Sequence, residues 1–204
     1  MLDDKDSLKI NLGSGLKRFD GFINVDADPA VKPDFVVNLD CSDIWLPFSD
    51  NSVVEIKAWH ILEHIGDGFI PLMKELYRIS KHHALLDIQV PHHQHDVFYG
   101  DITHKRPITV NAMNSFSKKY NLEHQAMYNS STGIGLQYDL DYEIIHFDFE
   151  FDDFYKPMLS DFFKRKEAGQ VTQEEDFGIQ RLLREATNVA LNTNIKMIAI
   201  KEGD

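Results

Sequence analysis

Only one cysteine, Cys41, is present, so no intrachain disulfide can brace the chain, which fits a reducing compartment. No apolar run approaches the roughly 20 residues that span a bilayer. The start, Met1-Leu2-Asp3-Asp4-Lys5-Asp6, lacks the apolar core of a signal peptide, so a cytoplasmic protein with no membrane partner is expected. Basic residues are scarce: 21 Lys and Arg against 33 Asp and Glu leave a net charge of −12, which argues against nucleic acid as a partner. Repeats and low-complexity segments are also missing. What remains is 43% apolar and 26% charged residues over 204 positions, enough for one domain or one domain with an insertion.

Short apolar runs alternate with turn or helix material in the first half, the pattern of a parallel α/β sheet. Strands are expected at 8–12, 22–25, 35–38, 53–58 and 84–90. The spacing predicts helices over 61–65 and 69–79, separated by Gly66-Asp67-Gly68. A polar segment, 91–107, is too long for a plain connection and precedes a helix expected at 110–119. From 136 to 151 side chains alternate as in a strand, but the phase slips, which predicts a bulge near Ile144-Ile145. Helices follow at 155–167 and 173–190, the second opening with Thr172 and Glu175 in capping-box spacing. A last strand, 195–201, would pair with 136–151 around this helical insertion. Phe147, Phe149, Phe151, Phe154, Phe162 and Phe163 are read as core, and the interleaved acids as solvated strand faces.

The stretch that organises the rest is Lys9-Ile10-Asn11-Leu12-Gly13-Ser14-Gly15, a buried strand running into a turn with glycines at alternate positions. Glycines there let the backbone turn sharply and approach a ligand. Asp26 ends the next strand and Asp40 follows the third, so acids and glycines fall on the carboxyl edge of the sheet. Only six residues, Leu16 to Gly21, separate Gly15 from Phe22, too few for a full crossover helix. A reduced first helix is expected.

Taken together, Asn11-Leu12-Gly13-Ser14-Gly15, Asn24-Val25-Asp26-Ala27-Asp28, Leu39-Asp40, Leu46-Pro47-Phe48-Ser49-Asp50-Asn51-Ser52-Val53 and His60-Ile61-Leu62-Glu63-His64 resemble the class I S-adenosylmethionine-dependent methyltransferases, most closely their type 11 branch. The likeness covers roughly residues 8–109. It implies a Rossmann-like, doubly wound, mostly parallel seven-stranded sheet ending in an antiparallel hairpin. It also implies S-adenosylmethionine as cofactor, held by Asn11, Gly13, Ser14, Gly15, Asp26, Ala27, Asp40, Cys41 and His60. By this likeness Gly13 and Gly15 pass beneath the methionine part, Asp26 holds the ribose and Asp40 faces the adenine amino group, with Cys41 beside it. His60 would lie near the sulfonium. The chain departs from the family in lacking a third glycine, a full first helix and the usual acid at Asn11. These departures motivate an alternative, a cofactor-binding protein without transfer activity.

His60-Ile61-Leu62-Glu63-His64 also matches H-x-x-E-H, a zinc-peptidase pattern in which the two histidines share a helix face. Some RNA methyltransferases hold a divalent metal with a related E-x-x-E-H set and a downstream histidine; His60 replaces the first Glu here, and a metal-dependent RNA methyltransferase is the second alternative. The leading expectation assigns no metal. Past the fifth strand, His92, His95 and His104 are candidate general bases, because imidazole titrates near neutral pH. A loop metal site and unused surface histidines are the other options for this cluster. Arg106 is a candidate for an acidic group on the acceptor. The expected reaction is transfer to an oxygen or nitrogen of a small-molecule or glycan acceptor, with specificity lying in the 91–135 loops and the 152–190 insertion.

Overall fold

The computed structural model describes residues 7–127 and 132–201. Met1 to Asp6 and residues 128–131 of the 91–135 region lie outside them. Seven strands form one sheet in the order β3-β2-β1-β4-β5-β7-β6. They are β1 (Leu8–Leu12), β2 (Ile23–Asp26), β3 (Phe35–Val36), β4 (Val53–Trp59), β5 (Ser80–Pro91), β6 (Tyr142–Phe151) and β7 (Ala190–Ala199). Six run in one direction, and β7 enters antiparallel between β5 and β6. This is the expected mostly parallel sheet with its antiparallel hairpin.

Helix α1 (Phe69–Ile79) follows from apolar residues at helical spacing, and Pro71 is harmless in a first turn. Leu72, Met73, Leu76 and Ile79 are fully buried and share one core with Ile10, Leu12, Ile56, Ala58, Leu86, Ile88, Ile195 and Met197. Each such side chain contributes about 1.5–3 kcal/mol. Alternate strand positions face the other way and are polar. Lys9 pairs with Glu55 and Lys57 with Asp87, both at 2.8 Å, while Gln89, Asn194 and Asp148 form a hydrogen-bonded chain. Phe19 and Trp59 pack edge to face with each other beside Lys57, and Lys17 lies 4.2 Å from the Trp59 ring centroid.

Among the described residues no α-helix lies between β1 and β4. The first crossover is turns only, and a 3-10 turn (Pro29–Val31), capped by Asp28, stands in the second. Asn11 shows how the first crossover holds. Its amide donates to Lys17 O at 2.8 Å and to Asn24 Oδ1 at 3.0 Å, a task that a carboxylate cannot perform.

An ion pair between buried Glu75 and half-buried Arg78 fixes the 46–50 loop against α1. Glu75 accepts from Leu46 N at 2.6 Å and from Arg78 Nη2 and Nε at 2.7 and 2.8 Å. Arg78 also reaches Phe48 O and Asp50, and its guanidinium stacks 3.8 Å from the Trp45 ring centroid.

Several expected elements differ. Residues 61–65 form a 3-10 turn (Leu62–His64) rather than a helix. The 91–107 segment contains a short helix, α2 (Asp96–Gly100), capped by His95. The helix at 110–119 divides into α3 (Val110–Asn114) and α4 (Lys118–Ala126), because Ser117 caps a new start. Leu136 and Tyr138 are not strand residues: they lie in α5 (Ile134–Tyr138), which Asp139 ends in the left-handed conformation. After α6 (Lys156–Glu167), α7 (Gln173–Glu185) opens with the expected capping box but stops before 190, and β7 starts five residues earlier than expected. The predicted bulge appears as a register shift between Ile144 and His146. The phenylalanine stripe is only partly core: Phe162 is buried, while Phe147 and Phe154 are exposed.

Candidate functional site

The sheet order reverses around β1, which lies between β2 and β4, and ligands of open α/β sheets bind at such a switch point. Two loops leave the carboxyl ends of the strands there. One is the glycine turn after β1, the other the 60–68 segment after β4.

Gly13 and Gly15 both adopt positive φ, +56° and +47°. Ser14 donates its N–H to Val25 O, and its buried hydroxyl has no hydrogen-bond partner among the described residues. Asp26 folds its carboxylate over the turn, accepting from Gly15 N at 2.7 Å and from Asp28 N at 2.9 Å. Ala27 beside it is exposed. The glycines differ in surroundings. A Cβ at Gly13 would sit 2.6 Å from Ile61 Cγ1, whereas one at Gly15 would meet open space. Gly13 therefore admits a neighbour within the protein, and Gly15 leaves the cradle free.

Asp40 accepts from Gly66 N and Gly68 N at 3.0 and 2.9 Å and from Lys105 Nζ at 2.5 Å. The Lys105 hydrogen bond, aided by both glycine N–H groups, holds its carboxyl below the usual carboxylate range. A lowered pKa stabilises the fold above the ordinary value of 3.8, and that contribution disappears as the pH falls through the folded value. Lys105→Met is thus expected to lower stability at pH 7 by an amount that shrinks as the pH falls below 3.8, as read by urea unfolding across that range. Cys41 donates its thiol to Asn38 O. A polar cavity of 470 Å³ opens between Asp40, Gly66, Asp67, Lys105 and Arg106. Arg106 spends its guanidinium on Ile65 O and Gly66 O, at 2.9 and 2.6 Å, and so clasps this loop.

His60 ends β4 at φ +54°, a strained conformation of the kind that gathers at functional sites. Its Nδ1 lies 3.5 Å from Glu63 Oε1. The candidate bases have unlike environments. His92 Nδ1 accepts from Gln94 N; burial, with His93 and His95 nearby, pushes its pKa down to about 4. His95 Nδ1 accepts from Val97 N, leaving the proton on Nε2, 3.5 Å from Asp152. His104 is reversed: Nδ1 faces Phe98 O at 2.6 Å, and a carbonyl only accepts, so the lone pair is on Nε2. His92 also lines a recess of 290 Å³ with Val110, Phe147, Phe149 and Thr193. His64 packs against the His104 ring, a contact that the H-x-x-E-H spacing does not reveal.

No family model matches the chain, and no curated protein matches its sequence. Solved structures do match its fold. A SAM-dependent methyltransferase from Archaeoglobus fulgidus is similar at a TM-score of 0.55 and 16% identity, over 96% of this chain and 87% of that one. The YcgJ protein from Bacillus subtilis is similar at 0.51 and 14%, over 97% and 93%. A SAM-dependent methyltransferase from Thermotoga maritima, described as a possible histamine N-methyltransferase, is similar at 0.51 and 12%, over 96% and 83%. The chain has the class I methyltransferase fold.

Proposed function

We propose that this chain transfers a methyl group from S-adenosylmethionine to an oxygen or nitrogen of a small-molecule or glycan acceptor. The observation that carries this reading is the glycine turn at the switch point, with both glycines at positive φ and Asp26 folded across it. The open side of Gly15 and the unpartnered Ser14 hydroxyl fit a ligand there. Gly15, Asp26 and His60 would hold the cofactor, which supplies an electrophilic sulfonium methyl. The protein's part is then alignment, with removal of the acceptor's proton where one must leave. Of the three histidines, His104 offers a free lone pair, while His92 is too weak a base at neutral pH. The −12 charge disfavours polyanionic acceptors, and the His92 recess suits a small one.

Isothermal titration with S-adenosylmethionine is expected to show one site per chain; a folded, cofactor-free protein that gives no heat would sink the proposal. Gly15→Ala sharpens the test. Its Cβ enters the open cradle, so binding should weaken at least about tenfold at a stability cost of about 1–2 kcal/mol.

A second reading, cofactor binding without transfer, is favoured by Ile61 against Gly13 and by Lys105 on Asp40. Cofactor binding with no S-adenosylhomocysteine formed across a broad acceptor panel would support it.

A further inference from the structure

We propose that Glu63, His64 and His104 form an open site for one divalent transition-metal ion. One oxygen of Glu63 and one nitrogen of each histidine all lie within 4.8 Å of one another. Glu63 is 1% exposed, and among the described residues neither of its carboxylate oxygens has a hydrogen-bond partner. That is unlike the other buried acids: Glu75 binds Arg78 and Leu46 N, and Asp87 binds Lys57. His60 Nδ1, 3.5 Å from Oε1, makes no hydrogen bond to it; a buried carboxylate so placed is costly, and a bound cation would complete it.

The histidines are oriented to supply the remaining ligands. Thr103 donates its hydroxyl to Asp101, so the 2.9 Å contact between Thr103 Oγ1 and His64 Nδ1 places the proton on the imidazole nitrogen. His104 Nδ1 likewise donates to Phe98 O. Both rings are left with Nε2 as the metal-binding nitrogen, their outer nitrogens fixed by protein oxygens as in established histidine metal sites. The segments carrying them are tied together: Lys105 N donates to Glu63 O at 2.8 Å, and Arg106 holds Ile65 O and Gly66 O. The pairing that the sequence pattern suggests, His60 with His64, is replaced by His104 with His64.

Two imidazoles and one carboxylate suit Zn²⁺, Mn²⁺, Fe²⁺ or Co²⁺ better than Mg²⁺ or Ca²⁺. Three protein ligands also leave positions open, as catalytic rather than structural sites do. Metal binding stands independently of the methyl-transfer reading. Resting on that reading, the open positions would take an acceptor oxygen and lower its pKa, in place of proton removal by the His104 lone pair.

The test uses the full chain, stripped with EDTA and titrated with ZnCl₂ and with MnCl₂, followed by metal analysis after gel filtration and by the Co²⁺ absorption spectrum. We expect one ion per chain, and at least about a tenfold loss of affinity in His64→Ala, His104→Ala and Glu63→Gln. Circular dichroism reports folding, and because Glu63→Gln alters a buried site, the two histidine variants decide if it unfolds. No stoichiometric binding by the folded protein, or binding indifferent to both histidine variants, overturns the site. Titrating S-adenosylmethionine into the same stripped sample separates the two proposals. A protein that binds the cofactor but takes up no added metal overturns this inference alone; one that takes up metal but not the cofactor supports it and counts against methyl transfer.

Discussion

Glu75→Ala is expected to cost about 3–5 kcal/mol, the loss typical of removing one partner from a buried ion pair. The side chain is 5% exposed and serves two donors at once, Leu46 N and the Arg78 guanidinium. Without it the half-buried arginine keeps only neutral carbonyls, the Trp45 face and Asp50 as partners. Asp50 is mostly exposed, so Asp50→Ala should cost under about 1 kcal/mol although it removes an ion pair at 2.5 Å from the same guanidinium. Urea unfolding of both variants checks the contrast. In thermal unfolding the Glu75 variant should melt roughly 6–20 °C lower. Equal effects would refute the account in which burial, not ion pairing as such, sets the energy.

Gly13→Ala is expected to damage folding and cofactor binding together, at about 2–6 kcal/mol for backbone strain plus overpacking. The new Cβ would sit 2.7 Å from Ile61 Cβ, an atom fixed to the backbone, so no rotamer change relieves the contact. Gly13→Ala with Ile61→Ala removes the contacts with Cγ1 and Cδ1 but neither the Cβ contact nor the positive φ, and should recover only a part of the loss. Ile61→Ala alone opens the turn. If Ile61 restricts the crevice, this variant binds S-adenosylmethionine more tightly than the parent in isothermal titration; if Ile61 helps line it, more weakly.

The strands nearest the glycine turn and helix α1 were legible because their patterns are local: alternation in β1, helical spacing in α1, Thr172 and Glu175 at the start of α7. The bulge was legible too, since a phase slip is written in the side chains themselves. Leu136, Tyr138 and Leu140 alternate as in a strand yet belong to a helix and its exit. Distant partners decide this, with Gly135 N donating to Ser115 O and Leu136 N to Asn121 Oδ1. The start of β7, Ala190-Leu191-Asn192-Thr193-Asn194, looks like a polar loop. Its asparagines bond Glu150, Asp148 and Gln89 across a polar sheet face, so the absence of apolar residues does not mark its absence from the sheet. At the candidate site, Glu63 and His64 stood out as a motif, but His104 joins them only through the fold of the 101–106 loop. No spacing rule links Asp40 to Lys105 either.

The position of β7 also sets the order of events in folding. It lies between β5 and β6, and its partners are about a hundred residues away on one side. Until it docks, β5 presents an unpaired edge along the mostly apolar stretch 84–90, and β6 has no strand partner. Closing so long a loop is slow, because chain entropy is spent before pairing returns it. A partly folded chain with four or five parallel strands and an open β5 should therefore persist during refolding and be the species that aggregates.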